Sequence, residues 1–131
     1  MLAADPSDNS EDHAWWTRLF TAVDSGDARL FTSLLDADAR FRFGNAPALV
    51  GSHDIEAGVA GFFAAIASSR HTFSQTWRSG GAVACEGEVT YTRHDGSTVG
   101  FPFVNVLELA GDRICDYRIY IDLGPLFGPA V

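Results

Sequence analysis

Apolar residues recur at helical spacing over the first part of the chain and alternate with polar ones over the second half. Trp15, Leu19 and Val23 repeat every fourth residue, with Trp16 and Phe20 beside them, which gives one apolar helix face. "DNSE" just ahead offers an N-cap with an acid three residues on, and "DSGD" breaks the pattern at Gly26. Asp27 then caps a short second helix that carries Leu30, Phe31, Leu34 and Leu35. "ARFRF" alternates as a strand does and is closed by the turn-rich "GNAP". Over 53–68 the helical period returns in Ile55, Val59, Phe62, Phe63 and Ile66, with acids in the first turn. Gly58 and Gly61 each weaken that helix by about 1 kcal/mol, a cost that a close backbone approach or room for a ligand would explain. From His71 onward the period is two, predicting strands at 71–78, 82–93, 98–109 and 113–122, separated by "SGG", "HDG" and "AGD". The order α-α-β-α-β-β-β-β describes an α+β fold with one curved sheet and helices on one face.

With 131 residues, 47 % of them hydrophobic, the chain has enough apolar surface for one buried core. A single domain over 1–131 is therefore expected, with residues 1–9 as a flexible lead-in. The formal net charge of −8 argues against nucleic acid, whose phosphates need a positive field; the arginines are scattered singly and lysine is absent. No apolar run reaches the roughly 20 residues of a membrane span, so no membrane partner is expected. The acidic, polar N-terminus is neither a secretion signal nor a transit peptide, and a cytoplasmic location follows. Cys85 and Cys115 fall on opposite faces of their strands and read as free thiols. His13, His53, His71 and His94 lack any HxxxH or HxH spacing, so neither a metal nor a cofactor is expected.

The phrases "TAVDSGDARLFTSLLDADARFRF", "GSHDIEAGVAGFF" and "NVLELAGDRICDYRIYID" resemble the nuclear-transport-factor-2-like superfamily, and within it the SnoaL-like proteins related to ketosteroid isomerases. The resemblance covers nearly the whole chain after about residue 12. It implies a cone-shaped α+β barrel of cystatin-like or SnoaL-like type, a curved antiparallel sheet wrapped around three N-terminal helices. It also implies an internal cavity for a small apolar ligand and a homodimer formed through the outer sheet face. The scaffold hosts isomerases, cyclases, dehydratases, epoxide hydrolases and binders without catalysis, so it does not by itself name a reaction.

Strand alternation leaves two facings open for 82–93. Hydrophobicity buries the odd set, Val83, Cys85, Val89 and Tyr91, whereas similarity to ketosteroid isomerases and limonene-type epoxide hydrolases turns Glu86 and Glu88 inward. The same likeness places Phe43 and Asn45 inward, and Tyr117, Ile119 and Ile121 on the inner face of the last strand. Arg118, Tyr120 and Asp122 then face out, and Asp122 is a structural acid that caps a short terminal turn. The hydrolase mechanism is not expected, because Glu86 replaces its arginine and Ile119 its second acid. Scytalone dehydratase looks similar at His71 and Asn105, although its helix-one acid finds no match.

Two functions follow. In the first, a cofactor-free acid–base enzyme isomerises, cyclises or dehydrates a small polyketide-, steroid- or terpenoid-like molecule. His71 and Glu88 move protons, Asn105 holds a developing oxyanion, and Asn45, Phe43, Trp16, Phe63, Tyr117 and Ile119 contact the ligand. In the second, the same shape is a non-catalytic module that binds an apolar ligand or serves as a dimer. His71 and Glu88 within about 4 Å of each other in a closed pocket distinguish the first from the second.

Overall fold

The computed structural model describes residues 6–127. It contains helices α1 (Pro6–Asp24), α2 (Ala28–Thr32), α3 (Ser52–Ala65) and α4 (Gly124–Phe127). The strands are β1 (Leu35–Phe43), β2 (Leu49–Val50), β3 (Ser68–Ser79), β4 (Ala82–Thr92), β5 (Thr98–Ala110) and β6 (Arg113–Tyr120). They form one six-stranded sheet in the order β2-β1-β6-β5-β4-β3. The expected α+β architecture, helices against one face of a curved sheet, is therefore present. The sheet is mixed and open: β1 lies parallel to β6, while the other neighbours are antiparallel. A pair separated by most of the chain has no hairpin to force it antiparallel.

The first helix starts earlier than its capping signal, with proline in its opening turn, where the missing N–H costs nothing. Helix α1 takes in the last four residues of the expected lead-in, whose residues 1–5 lie outside the described part. Trp16, Leu19, Phe20 and Ala22 carry the buried face of α1. Asp27 caps α2 as expected, its Oδ1 accepting the backbone N–H groups of Arg29 and Leu30 at 3.0 Å each. That helix is shorter than its apolar pattern. Leu35 pairs with Ile114 across β1 and β6, and sheet pairing there overrides helical spacing. Gly58 gives α3 its close approach: a Cβ there would stand 2.6 Å from Leu49 Cδ1.

Register fixes which side chains look toward the helices. In β4, Val83, Cys85, Gly87, Val89 and Tyr91 are buried, while Glu86, Glu88 and Thr90 are exposed. Directly opposed residues share a face, so β5 turns Phe101, Phe103, Asn105 and Leu107 inward with them. A bulge between Phe73 and Gln75 inverts the end of β3. Trp77 then stands opposite Ala84 on the outer face instead of in the core. On that outer face Arg118 donates to Glu108 at 2.8 Å and to Asp116 at 2.7 Å. Asp122 accepts the Gly124 N–H at 3.0 Å and starts the short helix α4, the structural role expected of it. No described helix is long and apolar enough to cross a membrane.

Candidate functional site

A cavity of about 380 Å³ opens between the inner sheet face, α3 and the end of α1. It sits toward the small end of the range for small-molecule sites, about 300–1,000 Å³. Six phenylalanines and two tyrosines line it, with Phe43 packed on Phe62 and Phe62 on Tyr91, their centroids 4.8 and 5.5 Å apart. Five lining residues bring polar groups: Ser69, His71, Tyr91, Asn105 and Tyr117. Among the described residues no arginine lines it.

His71 is where acid–base chemistry can begin. Its Nδ1 lies 2.6 Å from Asp24 Oδ1, and its backbone N–H donates to Asp24 Oδ2 at 2.8 Å. Ser69 Oγ donates to Asp24 Oδ1 at 2.8 Å. An ionised carboxylate only accepts, so Nδ1 carries the hydrogen, and a neutral ring presents Nε2 as a base. Phe20 stacks on the imidazole, centroids 4.7 Å apart and planes 6° from parallel, and Phe103 meets it edge-on at 5.4 Å. The side chains of His71 and Asp24 are 11 % and 22 % exposed, so the pair is largely screened from solvent. Asp24 is the last residue of α1, where the helix dipole disfavours an anion, and no basic residue in that turn offsets it.

The other polar groups lie farther along the inner face. Asn105 is 2 % exposed, and its Oδ1 has no hydrogen-bond partner among the described residues. A buried amide oxygen left in that state costs about 1–3 kcal/mol, which a ligand's donor can offset. Burial pushes the Tyr91 and Tyr117 phenols well above their ordinary range, and the Asp24 charge adds to both. Both therefore stay protonated donors. Burial likewise pushes the Cys85 thiol up to about 12, against a smaller opposing effect of the Asn105 backbone. Cys85 and Cys115 are both free thiols.

Of the residues singled out in the sequence, His71, Asn105, Phe43, Phe63, Tyr117 and Ile119 line the cavity. Glu88 does not. It is exposed on the outer face with Glu86, because the odd residues of β4 hold the apolar set and a strand cannot bury both. Asn45 is an exposed turn residue, while its neighbours Ala46 and Pro47 reach the cavity. Trp16 is buried in the core against Phe20 and Trp15 and does not line the site. Asp24 was the residue missed. In sequence it reads as a helix-ending acid in "VDSGD", and only the crossing of α1 over β3 sets it beside His71. Among the described residues, no group of three or more His, Cys, Asp or Glu could hold a metal ion.

Residues 16–117 match the model of the SnoaL-like domain. No curated protein matches the sequence. Among solved structures, an NTF2-like protein from Anabaena variabilis is 17 % identical with a TM-score of 0.76, covering 93 % of this chain and 96 % of that one. A candidate SnoaL-like polyketide cyclase from Jannaschia is 18 % identical with a TM-score of 0.75, covering 96 % and 94 %. A ketosteroid isomerase-like protein from Catenulispora acidiphila, in complex with trimethylamine, is 19 % identical with a TM-score of 0.75, covering 82 % and 85 %. With the family match spanning most of the chain, this protein belongs to the SnoaL-like family of the nuclear-transport-factor-2-like superfamily.

Proposed function

We propose that the protein is an acid–base enzyme that works with its own side chains on a small, largely apolar molecule held in the cavity. His71 Nε2 takes a proton from the substrate, and Asp24 stabilises the imidazolium that forms. The same ring returns the proton at another atom, which gives an isomerisation or cyclisation, or delivers it to a departing hydroxyl, which gives a dehydration. Asn105, Tyr91 and Tyr117 are the groups available to an oxygen that gains charge on the way. Glu88 has no part, and Asp24 takes the place given to it in the sequence-based scheme. The observation that carries this reading is the His71–Asp24 pair, 2.6 Å apart at the wall of an apolar cavity. The Jannaschia neighbour's description as a candidate polyketide cyclase agrees with it.

The test begins with steroid-, polyketide- and terpenoid-like ketones that raise the melting temperature. Exchange of their acidic C–H protons for deuterium is then followed by NMR in D2O. Exchange should be accelerated by the wild type and slowed about 10²–10⁴-fold in His71→Asn and in Asp24→Asn, with binding retained. Binding without accelerated exchange in the wild type would leave a binding module; equal exchange in the variants would remove the dyad.

We also infer that a second copy covers the outer sheet face. Trp77 and Tyr120, 46 % and 54 % exposed, stand there with Ala84, Val104 and Val106, an apolar patch framed by Glu86, Glu108 and Arg118.

A further inference from the structure

Ser69 and His71 are two residues apart on β3, so their side chains project from the same face, and both line the cavity. Between them they place three hydrogen bonds on Asp24. Oδ1 takes the Ser69 hydroxyl at 2.8 Å and His71 Nδ1 at 2.6 Å, while Oδ2 takes the His71 backbone N–H at 2.8 Å. One carboxylate at the end of α1 is thus held by a three-residue stretch of a single strand.

Resting on the reading of His71 as the base, we infer that Ser69 is a positioning residue that sets the basicity of His71 through Asp24. The hydroxyl and the imidazole share one oxygen. A second donor on that oxygen stabilises the ionised carboxylate and draws off charge that would otherwise stabilise the imidazolium. The hydroxyl also fixes the rotation of the carboxylate, so that Oδ1 stays in line with Nδ1. Ser69 therefore keeps His71 a base that releases its proton readily instead of one locked in an ion pair.

Few other groups can interfere. The titratable side chains that share the cavity with His71 are Tyr91 from β4 and Tyr117 from β6, and burial keeps both phenols neutral; from α1, His13 lies one ring further off, 4.9 Å from Phe73. From α2, α3, β1, β2 and β5 the cavity receives only uncharged residues, among them Phe31, Phe62, Phe43, Leu49 and Asn105. Arg78, farther along β3, is engaged with Asp12 of α1 at 3.0 Å.

The experiment is a long-range ¹H–¹⁵N NMR titration of the histidines in the full chain, between about pH 5 and 9, with His71 assigned from a His71→Asn spectrum. In the wild type the ¹⁵N shifts should report hydrogen on Nδ1. Ser69→Ala should move the His71 midpoint upward by roughly half a pH unit, and Ser69→Thr, which keeps the hydroxyl, should restore it. Asp24→Asn should move it downward, since the imidazolium loses its counter-charge. An unchanged or lower midpoint in Ser69→Ala, beside a lowered one in Asp24→Asn, overturns the role of Ser69 alone. No change in Asp24→Asn overturns the dyad together with the inference built on it.

Discussion

At Gly87 the backbone of β3 folds so close to β4 that any side chain would strike it. A Cβ there would lie 2.0 Å from the Thr72 carbonyl oxygen and 2.6 Å from Phe73 Cα, at the bulge itself. Backbone cannot swing aside as a flexible side chain can. Gly87→Ala should therefore cost about 3 kcal/mol, the upper end of overpacking penalties, and urea unfolding should show it. A loss under about 0.5 kcal/mol would mean that the strands part easily. Three buried acids of the inner face make a second prediction at this scale. Cys85, Tyr91 and Tyr117 all ionise later in the fold than in a free chain, where the ordinary values are 9.0 for the thiol and 10.0 for the phenols. Above pH 9 the unfolded chain gives up these protons and the native one keeps them, so the unfolded state binds fewer protons and stability falls as pH rises. The urea midpoint should decline from about pH 9 upward, and the phenolate absorbance of Tyr91 and Tyr117 should develop only as the far-ultraviolet dichroism collapses. Full tyrosine ionisation in folded protein would contradict their burial.

Among the elements, β3 and β4 show how far alternation can be read. In β4 it runs unbroken, and hydrophobicity alone names the buried set of Val83, Cys85, Val89 and Tyr91. Similarity to relatives turned the strand over by one residue and put Glu88 inside, the error to which a period of two is most exposed. In β3 alternation holds from Ser69 through Phe73 and then fails. Nothing in "TFSQTW" marks the extra residue that sends Trp77 outward, because the bulge answers to the close approach at Gly87 on the neighbouring strand. Helix α1 carries the opposite lesson. Its apolar face was legible from Trp15 to Val23, yet its most consequential residue is the acid just past that stripe. Asp24 gains meaning from β3, more than forty residues away in sequence.

For the whole molecule, the sheet separates two chemistries. Its inner face closes an apolar cavity around the dyad, and its outer face carries Trp77, Tyr120 and small apolar residues amid paired charges. If a second copy covers that outer face, light scattering should read a dimer for the wild type. Trp77→Glu should give a monomer, because a carboxylate would be buried there without a partner. Ligand-induced thermal shifts should survive the change, since Trp77 and the cavity lie on opposite sides of the sheet. A monomeric wild type would leave the outer face uncovered and end the dimer proposal.

By itself the sequence determined what depends on neighbours along the chain. The helical stripe of α1, the Asp27 cap, the strand series from His71 onward and the inward facing of Tyr117 and Ile119 all follow from periodicity and local hydrogen bonding, aided by the family likeness. Asn105 was also legible, as a polar residue among apolar neighbours, and His71 through the family likeness. The tertiary structure alone decided the parallel pairing of β1 with β6, the bulge that exposes Trp77, and the partner of His71. Each of these turns on which distant segment lies across from a residue, and the energy of a cross-strand contact or a buried hydrogen bond leaves no periodic trace in the sequence. The acid that pairs with His71 was therefore fixed where α1 crosses the sheet.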